Sequence, residues 1–149
     1  LWMVAGGFAL GVALNETGLA ANLINAIPFN TWPVLAVLIG SGVICYTLSN
    51  FISNTATAAL LVPILAVVGK SMTAELAPIG GVACLLIGIA VAASVAMILP
   101  ISTPPNALAH GTGMIEQKYM AKSGLIMGII GLVLGYVMLV LLGSIGFFG

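Results

Sequence analysis

Two clusters of uncharged polar residues interrupt otherwise apolar sequence: Ser53-Asn54-Thr55, and Ser102-Thr103 running into Pro104-Pro105-Asn106. Neither cluster contains an acid, lysine, arginine or histidine, so neither reads as a proton relay or an activated nucleophile. What such residues do well is cap helices. Each cluster precedes a stretch that reads as helical, so free backbone N–H groups and the positive end of a helix dipole point at whatever lies in front. That arrangement holds an anion. The helix before each cluster ends in free carbonyls, which together with the Asn54 amide oxygen can replace the hydration shell of a small cation. Anion and cation would then sit side by side. The plainer alternatives are a loop between two full spans at Ser53 and a kinked, ligand-free helix at the prolines.

The elements that position these clusters belong in a membrane. Of 149 residues, 62% are hydrophobic and 4% charged, with a mean hydropathy of +1.31. A soluble domain carries about 25% charged residues, so there is too little polar surface here to coat a water-soluble globule. Irregular backbone facing lipid costs several kcal/mol per unsatisfied group, so the two clusters must be buried against protein or line a wet cavity. The apolar runs are too continuous for an alternating barrel, which predicts an all-α integral membrane fold of the multi-pass type. Lys70, Lys118 and Lys122 balance Glu16, Glu75 and Glu116 to a net charge of zero, leaving no basic stripe for nucleic acid.

The chain opens with an apolar run, residues 1–14, closed by Asn15-Glu16-Thr17-Gly18. It has neither a basic leader nor a small-residue cleavage site, so it reads as the visible part of a span in a fragment whose N-terminal portion lies outside this sequence. Residues 20–27 carry Asn22 and Asn25 among apolar residues and stop at Pro28, which suits an interfacial arm helix. Asn30-Thr31-Trp32-Pro33 is a helix start with polar capping candidates. Two apolar stretches follow, 33–51 and 56–68, with Ser53-Asn54-Thr55 between them. Pro78 to Leu99 predicts one long helix, broken by Pro100, Pro104 and Pro105, each of which removes a donor and restrains its predecessor. A short helix over 107–115 and a last span over 124–148 complete the chain.

Other residues carry less. Cys45 and Cys84 each sit in an apolar run and read as small buried hydrophobes. His110 reads as an uncharged residue near the membrane edge rather than a pH sensor. Gly124-x-x-x-Gly128 and Gly131-x-x-x-Gly135 suit close helix contact.

With Ser53-Asn54-Thr55 followed by Ala56, Thr57 and Pro63, and with Leu99-Pro100-x-x-Thr103-Pro104-Pro105-Asn106-Ala107, the chain resembles the divalent anion:sodium symporters. That family includes sodium-coupled succinate and citrate carriers. The order and spacing of the segments match its C-terminal repeat. The resemblance implies that Pro33 to Gly69 is a re-entrant helical hairpin with the first motif at its tip, and that the second motif links the halves of a proline-broken transmembrane helix. It implies that Asn54 binds both Na+ and substrate, and that Ser53, Thr55, Thr103 and Pro104 contact a substrate carboxylate. It also implies that carbonyls of Ser49, Ile52 and Ser102 complete the Na+ site. Alanine is the residue expected at the last two positions, so Ile52 and Ser102 are departures. The family's first repeat, with its own hairpin and second Na+ site, is missing from this sequence.

Three parts follow: a scaffold span with its arm (residues 1–32), a transport part holding hairpin and broken helix (33–115), and a last transmembrane helix (116–149). The function expected is secondary transport at the cell membrane: sodium-coupled symport of a small dicarboxylate or other divalent anion, by a homodimer, with no organic cofactor. Sodium-independent exchange of dicarboxylate, or carriage of a sulfate-like oxyanion, is the alternative on the same scaffold. A structural membrane subunit is the alternative of another class. An enzyme is not expected, since the polar breaks hold no nucleophile with a base and no metal cluster.

Overall fold

The computed structural model describes residues 16–18, 33–100 and 102–148. The first span and the arm of the sequence reading lie outside the described residues, as do Asn30, Thr31 and Trp32. Among the described residues the structure is helical, without strands: α1 (Val34–Phe51), α2 (Asn54–Ser71), the one-turn α3 (Thr73–Leu76) leading into a 3-10 turn (Ala77–Ile79), α4 (Gly81–Ser94), α5 (Pro104–Gly111) and α6 (Gln117–Ser144).

The helices α1 and α2 form the hairpin. Pro33 is the N-cap of α1, extended at φ −60° and ψ 145°, and its carbonyl accepts from the amides of Ala36 and Val37. Each arm has 18 residues, about 27 Å at 1.5 Å per residue. Only Ile52 and Ser53 join them. Helical spacing brings Val37, Leu38, Ser41 and Cys45 of α1 to one buried face, and Thr57, Ile64, Leu65 and Val68 of α2 to another. Both meet α4 through Leu85, Ile89, Ala92 and Ala93. Cys45 and Cys84 are free and fully buried within this core.

Between α2 and α4 the chain turns back. The pair Thr73–Ile79 and Gly81–Ser94 is bent by 70°. The hinge is Gly80 at φ +101°, a conformation that a side chain would strain.

The long helix expected over 78–99 is shorter at both ends. It stops at Ser94, six residues before Pro100, so the prolines do not break it. The amide of Ile98 is drawn away instead, donating to Asn50 Oδ1 at 2.8 Å, and Ala96 reaches only the carbonyl of Ala93. Pro104 and Pro105 do the opposite of breaking a helix. They occupy the first turn of α5, where the missing N–H groups have no intrahelical partner to lose. The short helix therefore runs 104–111 rather than 107–115, and the last one begins at Gln117 and ends at Ser144.

The glycines of α6 are contact points. A Cβ on Gly124 would strike the backbone of Met97, one on Gly143 the backbone of Ile79, and one on Gly128 the ring of Tyr46. Gly131 and Gly135 meet Val95 and Val91. The Gly-x-x-x-Gly pattern is thus spent within the chain, seating α6 on α4 and the hairpin. Away from that seam α6 presents Leu134, Val137, Met138 and Leu141 outward. Such a surface is at home in hydrocarbon, and α1, α2 and α6 are each long and apolar enough to cross a membrane.

Candidate functional site

Two helix starts of the same construction meet at one cavity. Ser53 is extended (φ −168°, ψ 154°), and its hydroxyl accepts the Ala56 amide at 3.2 Å as the N-cap of α2. Thr103 is extended (φ −140°, ψ 148°), and its hydroxyl accepts the Asn106 amide at 3.3 Å as the N-cap of α5. In each case a short hydroxyl satisfies one first-turn donor; in α2 this leaves the Thr55 amide, whereas in α5 Pro104 and Pro105 have no N–H to offer and the Ala107 amide goes to the Thr103 carbonyl. The residue types are those that compete with helix interiors and win at helix beginnings.

The two starts share one cavity of about 330 Å³, lined by Ser53, Asn54, Thr55, Ser102, Thr103, Pro104 and Ala107. None of these side chains is ionisable. Positive potential in the cavity comes from backbone amides and two helix N-termini, each equivalent to up to about half an elementary charge. The cavity is within the usual range for small-molecule sites, about 300–1,000 Å³.

Ser53, Asn54, Thr55, Thr103 and Pro104 are brought together, and Ser102 joins them. Ser49 and Ile52 do not line the cavity. Ser49 is fully buried one turn below the tip, and Ile52 closes α1 with its amide on the Leu48 carbonyl. The Asn54 amide donates to the Ser102 carbonyl at 3.3 Å, which still leaves that oxygen a second lone pair. Asn54 Oδ1 is buried without a hydrogen-bond partner among the described residues. The Thr57 hydroxyl is likewise buried and unpartnered among them, one helical turn along the same face of α2. Most other hydroxyls of the fold bond back to their own helix, as Ser41, Thr47 and Ser94 do. Unsatisfied oxygens in an apolar interior cost about 1–3 kcal/mol each. A small cation is the ligand such oxygens suit.

Sequence reasoning missed Asn50. This buried side chain donates from Nδ2 to the Tyr46 carbonyl and accepts from the Ile98 amide, both at 2.8 Å, while its own carbonyl accepts the Ser102 hydroxyl at 3.1 Å. The signal was present in the sequence as a lone amide at the end of an apolar run. The Ser102 hydroxyl, at a position where alanine was expected, also accepts from the Leu99 amide at 3.4 Å. Asn106 plays a smaller part, with Nδ2 donating to the Met97 carbonyl at 3.0 Å. His110 stands in the last turn of α5, outside the cavity.

The sequence is similar to those of known membrane transporters. A family described as the sodium:sulfate symporter transmembrane region matches residues 1–146. An uncharacterized transporter of Haemophilus influenzae is 38% identical over 132 residues, covering 87% of this chain and 27% of that protein. The Na(+)/dicarboxylate cotransporter 3 of Rattus norvegicus is 35% identical over 138 residues, covering 89% and 21%. The sodium-dependent dicarboxylate transporter SdcS of Staphylococcus saprophyticus is 36% identical over 126 residues, covering 83% and 23%. The chain thus spans about a quarter of the length of these relatives. It is an all-helical, multi-pass integral membrane protein of the cell membrane, and it belongs to the divalent anion:sodium symporter family, whose sodium:sulfate symporter transmembrane region it matches almost from end to end.

Proposed function

We propose that this chain is the C-terminal repeat of a sodium-coupled symporter for a small dicarboxylate. The observation that carries the reading is the convergence of two hydroxyl-capped helix starts, at Ser53 and Thr103, on one uncharged cavity. Carboxylate oxygens of the substrate accept from the Thr55 amide in the first turn of α2 and from the hydroxyls of Ser53, Thr55 and Thr103, with Pro104 packing beside them. Charge decides the need for a cation. Two helix N-termini supply at most about +1, so a dianion in this repeat leaves about one negative charge to be balanced. Na+ does so from the hairpin side, held by Asn54 Oδ1 and the carbonyls of Ser49, Ile52 and Ser102. A buried anion and cation lower the cost of burying each other, so the two bind with positive coupling.

Hairpin and broken helix form the transport part, residues 33–115, and the hairpin is re-entrant. From the Thr103 cap, α5 carries the chain eight residues, about 12 Å, before the polar stretch at Glu116 and Lys118. That rise supports a hairpin tip at depth within the bilayer, as a midplane site requires. Residues 1–32 belong to the scaffold, where a homodimer contact is expected.

The relatives' names favour dicarboxylate, and the family description favours sulfate as the second reading. Uptake by the full-length carrier in liposomes separates them. Labelled succinate should accumulate under an inward sodium gradient and compete poorly with sulfate. Equal uptake in potassium would mean exchange without sodium, and a carrier indifferent to alanine at both polar clusters would mean a structural role.

A further inference from the structure

Among the described residues, Asn50 grips both sides of the site without lining it. Its Oδ1 holds the Ile98 amide at 2.8 Å and its carbonyl holds the Ser102 hydroxyl at 3.1 Å, so two oxygens of a single residue clamp both ends of the strap between α4 and α5. Its Nδ2, bonded to the Tyr46 carbonyl at 2.8 Å, fixes the side chain against its own helix. From Ser102 the chain of contacts returns to the hairpin, because the Ser102 carbonyl accepts the Asn54 amide at 3.3 Å. The ring is closed: hairpin end, strap, hairpin tip. Asn50 is 3% exposed and Ser102 1%, so water does not compete for these bonds. An apolar residue in place of Asn50 would leave the Ile98 amide without its acceptor, and α4 would lose what draws its last turn open.

We propose that Asn50 is a positioning residue that transmits sodium binding on the hairpin side to the Thr103 hydroxyl that caps α5. This inference rests on the sodium-coupled reading above. An ion drawn to the end of α1 and to Asn54 acts on the hairpin. The Thr103 cap follows only as far as the strap is tied to the hairpin, and of the three hydrogen bonds that tie them among the described residues two run through Asn50. Sites are coupled when one element has to answer to both ligands.

The test uses the purified full-length carrier and the succinate dissociation constant measured by calorimetry with and without saturating sodium. The native ratio should be on the order of tenfold or more, within the usual span for coupled sites. In Asn50→Ala and Asn50→Leu it should fall to about twofold, while succinate affinity without sodium shifts by less than about threefold. The leucine variant keeps the number and branching of the side-chain heavy atoms and opens no cavity, so loss in both assigns the effect to hydrogen bonds. A second measurement needs no variant: sodium alone should slow hydrogen exchange across residues 95–103 of the native carrier by about threefold or more. A folded Asn50 variant that keeps the native ratio overturns the proposal. So does sodium that protects the hairpin tip and leaves 95–103 unchanged, which decides the matter if the variants fail to fold. A native ratio near one overturns the sodium-coupled reading itself, and the inference with it.

Discussion

Ser53 and Thr103 stand at the same place in two different helices: each is extended, each caps with its hydroxyl, and the helices they start open into one cavity. Their side chains order a first turn, and on the proposed reading they also face a carboxylate. The substitutions Ser53→Ala and Thr103→Val remove both. Cap loss costs about 0.5–2 kcal/mol, and the lost contact adds a similar amount, so succinate affinity should drop about tenfold or more in each variant. Ser53→Thr and Thr103→Ser keep the oxygen and should stay within about threefold. Calorimetric titration of the full-length carrier measures this, and alanine variants with native affinity would remove the caps from the site.

The glycine seam makes a prediction about stability alone. Gly124 and Gly143 face backbone at Met97 and Ile79, which cannot swing aside as a side chain can. Gly124→Val and Gly143→Val should therefore destabilise by about 1–3 kcal/mol, read as a lowered unfolding temperature in detergent. Gly111 has open space around its Cβ position, so Gly111→Ala should be neutral or slightly stabilising. Equal effects at all three positions would mean that α6 is not seated as described.

The helices were legible in outline because apolar length and turn residues mark them. The hairpin came within two residues of its observed bounds, since Pro33 and Ser53 are local signals. The end of α4 was not legible. Prolines in the sequence suggest a break at Pro100, but the helix yields earlier to an acceptor 48 residues away, Asn50 Oδ1 on Ile98. A long-range hydrogen bond leaves no periodicity. The site showed the same division: capping residues declared themselves by type and place, whereas Asn50 gave only a polar residue in an apolar run, and the buried Thr57 hydroxyl looked like one more helical threonine.

Orientation follows from the contacts of α6. Its C-terminal end reaches Ile79 and Gly80, near the bend that follows Lys70, while Lys118 stands at its other end. Cysteines placed at positions 70 and 118 should therefore react with an impermeant reagent from opposite faces of the membrane, and one at position 147 from the same face as 70. The native thiols Cys45 and Cys84 are fully buried and should give little background. Labelling of 70 and 118 from a single face would mean that the hairpin is not re-entrant. The positive-inside rule leads us to expect the Lys118 and Lys122 side in the cytoplasm, which the same labelling checks.

The most direct measurement is the sodium dependence of succinate binding in the full-length carrier carrying Asn54→Ala, since Asn54 is assigned both ligands. Its buried, unpartnered Oδ1 and its link to Ser102 place it between the hairpin and the strap. The account predicts that succinate affinity falls by about tenfold or more and that the sodium concentration giving half-maximal binding rises by a similar factor. A carrier that binds succinate with native affinity and native sodium dependence after losing this amide would contradict it.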